Sequence, residues 1–222
     1  MSENPKMTRR RFLTLAGGAV GATALACCGP TVFGTQQPEV ELVESSCGEE
    51  SDMENKVLVA YASKCGSTAG VAEAIGEVLC ASGTAADVRP MQEVTDVSGY
   101  AAVVVGSAVY MRRLIPQAVD FVKANQQALS QVPVAYFVVC GTLKEDTREN
   151  RQSAAAYLDP VRQVVQPVDE GLFAGAMDFA KMSLTYQLIA RVMGGSESDW
   201  REWGAIRGWA EGLAATMLDG GR

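Results

Sequence analysis

Between residues 57 and 218, apolar runs of strand length alternate with segments whose apolar positions recur every three or four residues. Val57–Ala62 (Val-Leu-Val-Ala-Tyr-Ala) is apolar throughout, the pattern of a parallel strand covered on both faces. Residues 68–81 follow with Val71, Ala72, Ile75, Val78 and Leu79 on one stripe, which predicts a helix closed by Gly83. Residues 85–89 read as a shorter, more polar strand near an edge, and residues 100–106 and 132–140 as central strands. Pro116 opens a helix that turns Ala118, Val119, Phe121 and Val122 inward. Residues 149–161 predict another helix, 172–177 a fifth strand, and 182–193 a helix ended by Gly194 and Gly195. Asp199 and Glu202 have capping-box spacing, ahead of a last helix that runs to about Leu218 with Trp203, Ile206, Trp209, Ala210 and Leu213 on its apolar stripe. Five strands alternating with helices predict an α/β fold, an open five-stranded parallel sheet with helices on both faces.

The first 54 residues break this rhythm. Thr8-Arg9-Arg10-Arg11-Phe12-Leu13-Thr14 precedes a weakly apolar run, 15–26, that holds three glycines. A basic head, an apolar middle and a small-residue end make an export signal, too short and glycine-rich for a membrane span. The heptad resembles the twin-arginine export consensus, which implies the twin-arginine translocase as a partner and passage of an already folded protein. Ala24-Leu25-Ala26-Cys27 resembles a lipobox with Cys27 as the lipidated residue; ordinary cleavage after a small residue is the other reading. One acylated cysteine would hold the protein at a membrane surface without spanning it. Glu39, Glu41, Glu44, Glu49, Glu50, Asp52 and Glu54 then follow with no base before Lys56. Like charges with little apolar surface predict a disordered acidic linker. The expected organisation is a signal peptide over 1–27, a linker over 28–54 and a folded domain over 55–219.

Composition narrows the chemistry. The chain has no histidine, which removes imidazole acid/base catalysis, Ser-His triads and the commonest transition-metal ligand. Residues 28–222 carry 15 bases against 25 acids, a net charge of −10 that argues against nucleic acid as a partner. The six cysteines form no CxxC pair, and their spacing shows neither a zinc site nor a disulfide framework. Cys80 reads as a core residue at helical spacing; Cys65 and Cys140 each read as a small buried filler or as a neighbour of a ligand, and a regulatory bridge between those two would need both at one site.

Ligands of open α/β sheets sit beyond the carboxyl ends of the strands, near the switch in strand order. Three loops qualify. Ser63-Lys64-Cys65-Gly66-Ser67-Thr68 joins the first strand to its helix and gathers hydroxyls and backbone N–H groups before a helix N-terminus, as a phosphate requires. It lacks the Gly-Lys-Ser/Thr ending of a Walker loop and the three glycines of a dinucleotide fingerprint. Gly106-Ser107-Ala108-Val109-Tyr110 and Gly141-Thr142-Leu143-Lys144 follow the third and fourth strands, placed to sandwich a flat ring.

The order of elements, the Ser-x-x-Gly-x-Thr loop and the Gly-Ser-Ala-Val-Tyr loop resemble the flavodoxin family, over roughly residues 56–217. The closer similarity is to the branch holding the flavodoxin-like, quinone-linked protoporphyrinogen oxidase, through 104–122, 145–157, the strand 172–177, 188–195 and Asp199-Trp200-x-x-Trp203-x-x-Ile206-Arg207-x-Trp209. The resemblance implies a flavodoxin-like fold and FMN as cofactor. Ser63, Lys64, Cys65, Gly66, Ser67 and Thr68 would hold its phosphate. Ser107, Ala108, Val109 and Tyr110 would border the ring on one side, Gly141, Thr142 and Leu143 on the other. Tyr110 either stacks on the flavin or covers the sheet edge. Lys64 and Cys65 depart from the neutral, small or polar residues usual in that loop. The function expected is electron transfer outside the cytoplasm, with a redox protein or a quinone as partner. A quinone-dependent protoporphyrinogen dehydrogenase or a quinone reductase is the enzymatic alternative.

Overall fold

The computed structural model describes residues 42–48, 55–181, 187–188, 192 and 197–219. The predicted signal, Cys27, residues 28–41 and 49–54 of the linker and most of the helix expected at 182–193 lie outside them.

Five parallel strands form the frame: β2 (Val57–Ala62), β3 (Ala86–Pro90), β4 (Ala102–Tyr110), β6 (Val134–Cys140) and β7 (Asp169–Ala174). They lie in the order β3-β2-β4-β6-β7, with β1 (Ser45–Cys47) added antiparallel outside β3 and the two-residue β5 (Arg113–Leu114) paired with β4. The chain starts near the middle, steps out to β3, then crosses back to β4, so the order reverses between β2 and β4. That is the switch point at which a crevice opens.

Period-two alternation assigns each central strand to two cores. Val57, Val59 and Tyr61 of β2 face one layer, built on α1 (Ser67–Ala81) and α6 (Trp203–Asp219). Leu58, Ala60 and Ala62 face the other, built on α2 (Pro116–Ala124), α3 (Gln126–Leu129) and α5 (Asp159–Arg162). All six residues of β2 and all seven of β6 are buried, which is why both read as unbroken apolar runs. Gly106 of β4 lies beneath the Phe137 ring of β6, where an added Cβ would come within 1.9 Å of that ring. Its role is this close approach rather than the opening of a ligand loop.

Several expected boundaries move. Ser45–Cys47 lies in the segment expected to be disordered, yet it pairs with β3, and a disulfide joins Cys47 to Cys80 of α1. Cys80 is therefore half of a bridge, not a core thiol. The helix expected over 149–161 is two: α4 (Arg148–Ala156), capped by Thr147 Oγ1, which accepts the Asn150 N–H, and α5, separated because Pro160 has no N–H to continue the ladder. The third strand runs past Gly106 to Tyr110, because β5 folds back and pairs Val109 with Leu114. The fifth strand stops at Ala174; Ala176–Met177 (β8) instead pairs with Ser198–Asp199 (β9) in a separate two-stranded sheet. Asp199 consequently caps no helix. Its carboxylate accepts from the Arg201 guanidinium and backbone N–H, while Glu202 O takes the first helical bond of α6, from Ile206.

Candidate cofactor site

The register brings the three sequence-predicted loops to one end of the sheet. Ala62, which ends β2, lies opposite Ser107 of β4; Ala108 lies opposite Val139 of β6; Cys140, which ends β6, lies opposite Ala174 of β7.

The first loop is shaped by Ser63 and Gly66. Ser63 Oγ accepts the Gly66 N–H at 3.1 Å, closing the turn, and Gly66 takes φ 82°, a region that glycine enters without steric cost. α1 then starts at Ser67 with no carboxylate in its first turn, so its N-terminal partial positive charge is not offset there. Ser67 Oγ accepts the Ala176 N–H of β8 at 2.8 Å, which ties the loop to the far side of the site. Ser63 and Ser67 thus spend an acceptor lone pair on the backbone and keep the hydroxyl proton to donate. Thr68 is wholly buried, and its Oγ1 has no hydrogen-bond partner among the described residues. A buried hydroxyl without a partner costs about 1–3 kcal/mol, which a ligand oxygen would recover. Three donors free to give protons, at a helix start without acids, suit an oxyanion.

Lys64 bridges the first two loops. Its ammonium stands 3.8 Å above the centroid of the Tyr110 ring, a cation–π contact across the mouth of the site. Cys65 is half-buried; burial pushes its thiol up, the Lys64 charge opposes this, and Asp178 adds to it. It is therefore a protonated thiol at neutral pH, suited to packing beside a neutral ring and not to nucleophilic attack.

In the second loop the predicted ring-bordering residues divide. Ser107 is buried and its hydroxyl is engaged on both sides: it donates to Ala108 O at 2.9 Å and accepts the Ile115 N–H at 3.2 Å, holding the return of the chain from β5. Ala108, Val109 and Tyr110 are half-buried and pack against the α2-side core, which leaves one side of each for a ligand. In the third loop Gly141 is exposed, with no atom within 4 Å of the position a Cβ would take, so a planar group can approach the backbone there. Leu143 is buried and Thr142 half-buried. Burial pushes the Cys140 thiol up, against hydrogen bonds from Leu143 and Thr142 that fold the loop over it. Cys65 and Cys140 are both free, and no bridge joins them.

Sequence reasoning missed two parts of this end. The Ala176 N–H is invisible as a partner for Ser67, because it depends on a two-residue strand 109 positions away. The tip between β4 and β5 is also unsignalled: Met111 and Arg112 adopt φ 49° and 61° without a glycine or asparagine.

The flavodoxin domain family matches residues 58–199, well over half of the chain. The chain belongs to that family, and FMN is the cofactor that membership implies. Among solved structures it is similar to an archaeal flavodoxin (18% identity, TM-score 0.47, 73% of this chain and 99% of that one). Similar too is flavodoxin 2 of Bacillus cereus (18%, 0.45, 74% and 99%). The rubredoxin oxygen:oxidoreductase of Desulfovibrio gigas is a third (16%, 0.43, 75% and 36%). No curated protein matches it. The residues fit FMN: the orphaned Thr68 hydroxyl and the proton-bearing Ser63 and Ser67 hydroxyls suit its phosphate, and the open space at Gly141 suits its ring. Bound there, FMN would supply reversible uptake of one or two electrons. The chain is thus an FMN-type redox protein.

Proposed function

We propose that this protein is an electron carrier working outside the cytoplasm, exported folded by the twin-arginine route and held at a membrane surface by lipid on Cys27. The observation that carries the location is the Cys47–Cys80 disulfide. Structural disulfides persist in oxidising compartments and are rare where cytosolic thiols keep cysteines reduced. Thr8–Thr14 and the Ala24–Cys27 stretch point the same way from the sequence. The chain's own residues then have simple tasks. Ser63, Ser67 and Thr68 hold the phosphate, Tyr110 and Gly141 frame the ring, and the acidic body sets the field around it. Among the described residues no helix is long and apolar enough to cross a membrane.

The test is isolation of the protein from its native membrane fraction. A yellow protein with an FMN spectrum, an acylated Cys27 in the N-terminal mass and an oxidised Cys47–Cys80 pair is the expected result. Replacing Arg9 and Arg10 by Lys should leave the protein in the cytoplasm. Export unchanged by that substitution would remove the twin-arginine route.

A second reading is quinone-coupled oxidation of a protoporphyrinogen-type substrate. It is favoured by exposed Leu188 and Val192, four residues apart in the connection between β8 and β9, an apolar pair that a quinone could meet. Anaerobic mixing of the FMN-loaded protein with protoporphyrinogen and a quinone separates the two: turnover favours the oxidase, and none leaves the carrier.

A further inference from the structure

The chain enters the domain at the cofactor end. β1 runs antiparallel to β3, with Ser45 opposite Val88 and Cys47 opposite Ala86, so the residues before β1 lie level with the last residues of β2 and β3. The Val43 N–H donates to Tyr61 Oη at 2.7 Å, and Tyr61 returns its proton to Val43 O at 2.9 Å. Glu44 pairs with Arg89 at 2.6 Å, and Leu42 and Val43 pack on the α1-side core. Lys56, just before β2, marks the opposite end. Without β1 the N-terminal segment would join the domain there, roughly 17–20 Å away for a strand of this length. Three residues of edge ladder are a weak hold. The disulfide to α1 is what fastens them.

That same end carries an exposed apolar group and unpaired cations. Met111, 72% exposed, lies in the connection that leaves the carboxyl end of β4. Arg112 and Arg113 follow Met111, are exposed, and form no ion pair among the described residues. Met111 and Arg112 hold positive φ without glycine, strain that a hairpin with no task would shed by adopting Asn-Gly.

We propose that the cofactor end docks on an anionic lipid surface through the Met111-Arg112-Arg113 tip, and that β1, stapled by Cys47–Cys80, orients the domain by bringing its N-terminal segment to that end. This rests on the membrane-tethered reading above. The 14 residues between Cys27 and Leu42 span at most about 50 Å, so a lipid on Cys27 would hold the entry point within that reach of a bilayer. An anionic surface repels the body, which with its linker carries net −10, and attracts the basic tip, so the tip is the side that approaches. An exposed methionine between bilayer and strand with two arginines beside it suits the boundary of headgroups and acyl chains.

The test uses the full chain loaded with FMN on vesicles of phosphatidylglycerol and brominated phosphatidylcholine, with a tryptophan added at one end or the other. In Met111→Trp the added fluorescence should be quenched by the bromines. In Ser82→Trp, past the end of α1 at the opposite end of the sheet, it should not. Arg112→Ser with Arg113→Ser should lower quenching of the Met111→Trp signal and lower vesicle affinity roughly tenfold or more at low salt. Cys47→Ser with Cys80→Ser should make quenching at the two ends more alike, with FMN retained as the check on folding. Equal quenching at both ends in the oxidised protein would overturn the proposal, as would flotation with no quenching at position 111, the result expected if the tip meets a protein or a second copy instead. Loss of flotation in every form, with Cys27 unacylated in the native protein, would sink the membrane-tethered reading itself.

Discussion

The two ends of the sheet treat polar groups in opposite ways. Where the strands start, Lys56 and Asp87 are almost fully buried and pair at 3.1 Å, while Ser46 and Tyr100 donate to the same carboxylate. The buried carboxylate there is met by three donors, and Cys47–Cys80 fastens the layer covalently. Where the strands finish, the Thr68 hydroxyl is buried without a partner, Ser63 and Ser67 keep protons to give, and Met111 and Arg112 sit in a strained backbone region. One end is closed on itself; the other is left incomplete for a ligand. Substitutions at the first should therefore lower stability and spare FMN, and those that complete or relax the second should raise stability, at the expense of FMN where they remove one of its donors.

The largest effect is expected from Asp87→Ala. Removing one partner strands the Lys56 ammonium in a 3% exposed site, which costs about 3–5 kcal/mol. Urea unfolding should show this, with FMN affinity unchanged in the folded fraction; a smaller loss than in a surface control would mean water reaches Lys56. The pH dependence has a definite sign. Burial pushes the Asp87 carboxyl up, but hydrogen bonds from Ser46, Tyr100 and Lys56 and the Lys56 charge together hold it below its ordinary value. Its contribution is then present above the unfolded value, about 3.9, and is lost as pH falls through the lower folded one. Tyr100 behaves oppositely. Burial and its bond to Asp87 raise its phenol to about 12, so that contribution holds below about 10 and is lost as pH rises toward 12. Breaking the bridge by Cys47→Ser with Cys80→Ser should cost about 3–4 kcal/mol for a loop closed across 33 positions.

Thr68→Val sharpens the contrast at the other end. A hydroxyl bond to a phosphate dianion is worth about 1.5–3 kcal/mol, so FMN affinity should fall roughly tenfold to a hundredfold. The FMN-free protein should meanwhile become more stable by about 1 kcal/mol, since a buried hydroxyl without a partner is replaced by a methyl group of the same shape. Calorimetry on both forms separates these two signs; a loss of stability without FMN would mean Thr68 has a structural partner. Lys64→Met should shift the midpoint potential of bound FMN to more negative values by on the order of tens of millivolts, because it removes a cation from the mouth of the site.

What the sequence made legible follows the same division. β2 and β6 stand out because strands buried on both faces admit almost no polar residue, and the start of α1 stands out because Ser63 and Gly66 close the turn between themselves within four positions. β1 was hidden. Its three residues sit in an acidic stretch, and what holds them is a bond to a cysteine 33 positions on, which no local pattern encodes. Pro160 could have marked the break between α4 and α5, whereas nothing near Ser107 signals that its hydroxyl is consumed by Ile115. The site's residue types were readable; which of their protons remain free depended on partners distant in the chain.

The smallest effect, and the most diagnostic, is expected from Arg112→Gly. An L-residue in the left-handed region costs roughly 1–2 kcal/mol, which glycine relieves. Against this, glycine gives the unfolded chain more freedom, about 0.5–1 kcal/mol. The net should be a gain of about 0.5–1 kcal/mol in urea unfolding, without loss of FMN, since the tip lies beyond Tyr110. A gain of that sign would mean that this end holds an arginine at a cost in stability, as the Thr68 hydroxyl is held. No gain would mean that the pairing of Val109 with Leu114 already favours the I′-like turn, and that Arg112 is kept there without opposing the fold.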